Sequence, residues 1–235
     1  MDRKRLILII LFIVSGIWYY QLTDEDLSEK TQAFVIEVTD GDTIKLENGA
    51  KVRFLGINTP EKKQPYYSEA KEFLKVVENT TVSLEIAGTD RYGRLLAHVF
   101  WNGQHLNEAI LEEGFATLYY YEHDEYYSDL SSAEEAAREN GLGIWKRSGD
   151  YGCLELVELQ YEEEGGRCIE GEVLELENVC DFGIDFTFKD DATHIYDDFV
   201  EGGQIYREEF SCIFNDAGDS LYVYDSKGLL LFYRY

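Results

Sequence analysis

The sequence predicts a multi-domain fold: an α+β unit built on a small closed β-barrel, then an all-β sandwich, with a hydrophobic helix at the N-terminus. Three observations carry this expectation. An apolar run from Leu6 to Tyr20 follows Arg3-Lys4-Arg5. Strand-like and helix-like periods intermix over residues 31–147, whereas only short strand-like segments between turn residues occupy residues 153–235. A length of 235 residues accommodates one or two such units.

Positive charges before the apolar run and the acidic stretch Thr23 to Glu29 after it predict a cytoplasmic N-terminus and an external body. The run is shorter than the about 20 residues of an ideal span. Two outcomes stay open: a retained signal anchor, with Trp18, Tyr19 and Tyr20 at the membrane interface, or secretion after cleavage near Val14-Ser15-Gly16. Residues 1–30 are therefore read as signal anchor and acidic tether.

Period-two alternation marks strands at Ala33 to Val38, Thr43 to Leu46 and Lys51 to Ile57, with Asp40-Gly41 and Asn48-Gly49 as hairpin turns. Ala70, Phe73, Leu74 and Val77 recur at helical spacing, predicting a helix over 68–79 capped by Ser68. Strands follow at Thr81 to Ala87 and Arg94 to Trp101. A helix over 106–113 stops at Gly114, and a third begins at Ser131 or Ser132, with Ser131 and Glu134 spaced as a capping box. Five strands interrupted and followed by helices fit an OB-fold barrel over residues 31–147. Ser148 to Gly152 reads as a short polar linker. Six strands follow, from Leu154, Ile169, Ile184, Ile205, Ser220 and Leu229 onward, and predict an immunoglobulin-like sandwich over 153–235.

All four cysteines, Cys153, Cys168, Cys180 and Cys212, lie in that second half without C-x-x-C spacing. Two disulfides are expected, in keeping with an exported chain. Strands flanking the Glu162 to Arg167 turn would bring Cys153 to Cys180, leaving Cys168 for Cys212.

The formal net charge is −26, the reverse of an ordinary nucleic-acid-binding surface. Residues 151–235 carry 21 acidic against 5 basic side chains, so −16 of that charge sits there. Lys62, Lys63, Lys71, Arg91 and Arg94 nevertheless gather around three motifs, predicting a local positive cleft.

Those motifs are Asp40-Gly41-Asp42-Thr43, Arg53-Phe54-Leu55-Gly56-Ile57-Asn58-Thr59-Pro60-Glu61 and Asp90-Arg91-Tyr92-Gly93-Arg94. Taken singly, each is an ordinary turn or strand end. Together they supply what attack on a phosphodiester requires: neutralised phosphate charge, an activated water and stabilised equatorial oxygens. The forked guanidinium groups of Arg53 and Arg94 suit the phosphate, and Glu61 suits the water. Asp42, the Asn58 side-chain oxygen and the Thr59 carbonyl are hard ligands suited to Ca²⁺ and poor ones for zinc.

These residues and their order resemble the thermonuclease, or staphylococcal-nuclease-like, family from Gln32 to Trp145. The resemblance implies an OB-fold whose metal and phosphate residues converge at one barrel edge. It implies Asp42, Asn58 and Thr59 as metal positions, Glu61 as the residue that activates water, and Arg53 and Arg94 as phosphate binders. Asn58 departs from the family's second metal carboxylate, which implies weaker calcium binding. Tyr120 falls nearest a family nucleotide-contacting tyrosine; Tyr92, inside a motif, is the other candidate for stacking on substrate. The segments Leu174-Glu175-Leu176-Glu177-Asn178 and Gly218 to Gly228 resemble the lamin-tail domain. The expectation is a calcium-dependent nuclease acting on DNA or RNA outside the cytoplasmic membrane. Its alternatives are an inactive nucleic-acid- or protein-binding module and a surface scaffold.

Overall fold

Five strands close on themselves in the computed structural model, which describes residues 30–120, 124–161, 170–191, 194–211, 213–214 and 219–235. They are β1 (Thr31–Val38), β2 (Thr43–Leu46), β3 (Lys51–Phe54), β5 (Thr81–Thr89) and β6 (Leu95–Trp101). Their order is β3-β2-β1-β5-β6, and a parallel pairing of β3 with β6 completes the barrel. This is the OB-type arrangement, and closure leaves no open edge among these five. The N-terminal hydrophobic segment lies outside the described residues. No helix among the described residues is long and apolar enough to cross a membrane.

Inward-facing Val35, Ile44, Val52, Phe54, Leu84 and Val99 fill the barrel, and Leu74 and Ile110 from the helices join the same core. Fully burying each such side chain contributes about 1.5–3 kcal/mol. Helix α1 (Tyr67–Leu74) continues as a 3-10 turn over Lys75–Val77. Ser68 does not cap α1: Tyr66 holds the cap position in the left-handed region, at φ 66°, with no side-chain bond. Helix α2 (Leu106–Glu112) is tied down through fully buried Asn107, whose amide accepts from Val99 N at 2.9 Å and donates to Leu55 O at 2.8 Å.

The strand expected to run to Ile57 breaks after Phe54, because Gly56 turns the chain at φ +77°. A Cβ there would lie 2.2 Å from the Tyr120 ring. The chain beyond it forms β4 (Ile57–Asn58), which pairs with β8 (Thr117–Leu118) rather than with the barrel. Short β7 (Gln104–His105) extends the barrel sheet beside β6.

Helix α3 (Tyr127–Glu139) starts before the expected Ser131, and the Ser131–Glu134 capping box does not form. The Glu134 carboxylate turns inward instead, accepting from Leu118 N at 2.7 Å. Asp124 serves the start of the helix, accepting from Tyr126 N at 2.9 Å.

The second half forms two sheets, β13-β10-β9 and β12-β11-β14-β15. Their strands are β9 (Leu154–Gln160), β10 (Glu170–Asn178), β11 (Ile184–Lys189), β12 (Ile195–Val200), β13 (Ile205–Ser211), β14 (Ser220–Tyr224) and β15 (Leu229–Arg234). Leu174 and Leu176 of one sheet share a core with Phe186, Phe188 and Val223 of the other. The sequence did not announce β12: it is an edge strand whose first five residues are exposed, and Asp197-Asp198 interrupts any alternation. Cys153 and Cys180 form the expected disulfide. Cys168 and Cys212 lie outside the described residues.

The expected linker is not a loose tether. Ser148 N donates to Leu229 O at 2.9 Å and Leu229 N to Lys146 O at 2.8 Å, so the joint pairs with β15. Trp145 packs on Tyr222 and Phe232, with ring centroids at 5.9 and 5.0 Å. Beside it, the Arg234 guanidinium pairs with both oxygens of Glu134, which is 2% exposed.

Candidate active site

The Asp40-Gly41 turn delivers Asp42 to the inside of a corner. Asp40 Oδ1 accepts from Asp42 N at 3.2 Å. Gly41 sits against Ala70 and Thr59, where a Cβ would approach the Thr59 hydroxyl to 2.8 Å. Only glycine lets the turn come this close. As a result Asp42, 7% exposed, accepts from Thr59 N at 3.1 Å and Thr59 Oγ1 at 2.9 Å through one oxygen, and from Thr43 Oγ1 at 3.0 Å through the other.

Register then brings Arg53 in, since Thr43 lies opposite Arg53 in the β2–β3 pair. Arg53 Nε stands 3.3 Å from Asp42 Oδ1, NH1 donates to Phe54 O at 2.9 Å, and NH2 donates to Asn58 Oδ1 at 3.0 Å. The other end of the Asn58 amide donates to the Asp191 carbonyl of the second half, at 3.1 Å. Asp42, Arg53, Asn58 and Thr59 are thus one hydrogen-bonded cluster.

Arg94 immediately precedes the Leu95 that pairs with Val52, which sets it beside the strand carrying Arg53. Its Nε donates to Asp90 Oδ2 at 2.7 Å, and its guanidinium lies 5.5 Å from the Tyr92 ring centroid. Burial works against the Asp90 charge, but hydrogen bonds from the Arg94 backbone and side chain and from Tyr92 N hold its pKa below the ordinary value. Tyr92 is 69% exposed, with Arg91 on its face at 4.9 Å. Glu61 is exposed, three residues beyond Asn58, and its backbone N–H donates to Gln64 Oε1 at 2.8 Å. Tyr120 packs on Gly56, and its hydroxyl donates to Asp124 Oδ1 at 2.7 Å. Burial, then that carboxylate, raises the Tyr120 pKa. Of the expected positive cleft, Lys71 is committed to Thr39 O at 2.9 Å, while Lys62, Lys63 and Arg91 stay exposed.

The donors at the corner fit a hard cation. Burial, and then the Asp42 charge, raises the Asp40 carboxyl to about 6. Two carboxyls crowded this way are the condition a bound cation relieves. The Thr59 carbonyl accepts no hydrogen bond among the described residues. No group of three or more His, Cys, Asp or Glu side chains that could hold a metal occurs among the described residues, so carbonyl and amide oxygens would complete the ligand set. Asp40 is a carboxyl that sequence reasoning left in its turn, although its two-residue spacing from Asp42 was visible. The Asp191 carbonyl, 133 residues from Asn58, had no sequence signal.

Comparison with known proteins places this geometry. Residues 51–147 match the model of the family described as "Staphylococcal nuclease homologue". "Endonuclease YncB" of Bacillus subtilis is 39% identical over 140 residues, covering 51% of this chain and 66% of that protein. An "Uncharacterized endonuclease" of Haemophilus influenzae is 36% identical over 123 residues, covering 50% and 67%. "SPbeta prophage-derived endonuclease YokF" of B. subtilis is 39% identical over 125 residues, covering 47% and 42%. The chain thus spans about two thirds of the first two relatives and less than half of the third.

Proposed function

From the membership of this chain in the staphylococcal nuclease homologue family, we propose that it is a calcium-dependent nuclease that hydrolyses phosphodiester bonds of DNA or RNA. The observation that carries the reading is the hydrogen-bonded cluster of Asp42, Arg53, Asn58 and Thr59. Similarity to proteins named endonucleases supports it.

Asp42, Asp40 and the Thr59 carbonyl, with Asn58 as a neutral fourth oxygen, would hold the calcium, which when bound neutralises phosphate charge. Arg53 is pre-oriented by Asp42 and the Phe54 carbonyl; exchanging Asn58 Oδ1 for a phosphate oxygen gives its NH2 a charge-assisted hydrogen bond to the substrate. Arg94 keeps its Nε on Asp90 and turns its remaining N–H groups to the equatorial oxygens. Exposed Glu61 takes the proton of the attacking water. Tyr92 offers its open face to a base, while Tyr120, whose hydroxyl Asp124 holds, shapes the wall behind Gly56.

The protein incubated with single-stranded DNA and RNA, with calcium or with chelator, tests this. Arg53→Ala and Glu61→Gln should each lower turnover by about two orders of magnitude with unchanged circular dichroism. Near wild-type cleavage by either variant would remove the mechanism. Binding without hydrolysis by the wild type would favour a non-catalytic module, a reading supported by Asn58, whose amide is engaged at both ends.

The N-terminal segment is proposed as a membrane anchor or cleaved signal that sets the body outside the cytoplasmic membrane. Its flanking charges and the Cys153–Cys180 disulfide are in support. The two-sheet half is proposed as a lamin-tail-like, immunoglobulin-type sandwich, on its facing sheets and the motifs cited above.

A further inference from the structure

A cleft of about 930 Å³ separates the barrel from the two-sheet half, within the range of about 300–1,000 Å³ usual for ligand sites. Asn58 and Thr59 belong to its lining, so it opens directly from the Asp42–Arg53 cluster. Across from them stand Phe186, Lys189 and Tyr224 of the two-sheet half, and Tyr66 adds an aromatic face from the barrel side.

Lys189 is the informative residue. It ends β11, and its Nζ rests 4.5 Å from the Tyr222 ring centroid, an arrangement that holds the ammonium without using its N–H donors. The Lys189 side chain makes no hydrogen bond or salt bridge to any described residue. Of the five carboxylates that line the cleft, Glu69, Asp185, Asp197, Asp198 and Asp225, none pairs with Lys189; Asp197 accepts from Thr187 Oγ1 at 2.6 Å, Asp198 from Phe199 N at 2.8 Å and Asp225 from Ser148 Oγ at 2.5 Å. Burial lowers the Lys189 pKa, and Asp191, Asp190, Asp219 and Glu61 counter it from a distance. That Glu61 is among them sets the ammonium in the field of the proposed catalytic carboxylate.

We propose that this cleft is a nucleotide subsite, taking the nucleotide of a single strand that lies one step beyond the pair joined by the scissile phosphate and is therefore absent from a dinucleotide. Lys189 receives that nucleotide's phosphate, and Tyr66 and Tyr224 bracket its base. The subsite rests on the nuclease reading, and it makes the two-sheet half part of the substrate site. An ammonium with three open donors suits a phosphate, and aromatic faces accept any base.

The whole protein with Lys189→Met, Lys189→Arg or Tyr66→Leu tests this in two measurements. In chelator, fluorescence anisotropy of a labelled single-stranded oligonucleotide is followed against salt. Lys189→Met should weaken binding about tenfold and flatten the log–log salt slope by about 0.7, the value for one phosphate contact on a single strand. Lys189→Arg should restore the slope. With calcium, kcat/KM for the oligonucleotide should fall more than that for a dinucleotide in both Lys189→Met and Tyr66→Leu. A wild-type salt slope together with an unchanged oligonucleotide-to-dinucleotide ratio would overturn the subsite while leaving the nuclease reading intact. If the wild type cleaves nothing, the nuclease reading fails, and the anisotropy series alone then decides whether the cleft binds a strand. If Lys189→Met does not fold, Tyr66→Leu on the opposite wall keeps the same comparison.

Discussion

Asn58 answers to two neighbours at once. Its oxygen accepts from Arg53 and its nitrogen donates to the Asp191 carbonyl, so only an amide satisfies both. A carboxylate of nearly equal size has no donor for the carbonyl, and leaving that bond unmade costs about 1–3 kcal/mol. The same carboxylate adds a charged ligand at the oxygen corner. Asn58→Asp should therefore lower the melting temperature in chelator, yet shift the calcium midpoint of thermal stabilisation to lower concentration. Melts across a calcium series read both effects. A variant as stable as wild type in chelator would deny the bond to Asp191 any energetic role, and an unmoved calcium midpoint would take Asn58 out of the ligand set.

Among elements, the corner where β6, β7 and α2 meet carries a pH dependence. His105 stacks on Phe100 with centroids 4.7 Å apart, and its Nε2 lies 3.1 Å from His98 Nδ1. Burial, then the neighbouring His98 and Lys30, depresses the His105 pKa from 6.5 to about 3. Below pH 6.5 the unfolded chain takes up a proton that the folded chain refuses, so the stabilisation is present above that pH and lost as pH falls toward 3. The slope is about 1.4 kcal/mol per pH unit at most. His105→Gln should flatten the fall in melting temperature between neutral and mildly acid buffer, and an unchanged fall would assign the acid sensitivity elsewhere. Such corners show what a sequence conceals. Strand β9 is legible because its side chains alternate between buried and exposed, and β2 and β14, buried along most of their length, because turn residues bound them. That Asp42, Arg53 and Thr59 meet was legible because their motifs share one chemical use. The start of α3 was misread because Glu134 has a second use, as partner to Leu118 N and Arg234, that no local pattern encodes. The break at Gly56 answers to the Tyr120 ring, 64 positions along the chain, and Lys189 was only one basic residue in an acidic half.

At the scale of the whole molecule, a ring of contacts joins the halves around the proposed site. It runs from Asn58 to Asp191, whose Oδ1 accepts from Tyr222 OH at 2.6 Å, and on to Arg234, 3.4 Å from that hydroxyl. Arg234 pairs with Glu134, Glu134 holds Leu118, and β8 returns to β4 and Asn58. Removing one member of a buried ion pair strands the other, at a cost of about 3–5 kcal/mol. Arg234→Met should therefore lower the melting temperature, and also reduce cleavage although it touches no substrate. Calorimetry and initial rates on the same preparation check this: a stability loss with unaltered rates would uncouple the ring from the chemistry. Asn58 also bears on inheritance. A barrel carrying aspartate at that position, grafted onto this second half, would set a carboxylate oxygen against the Asp191 carbonyl, where the native pair shares a proton. The seam is therefore keyed. The two halves are not freely interchangeable parts: a recombinant barrel with aspartate at position 58 would meet this second half with one bond of the joint unmade.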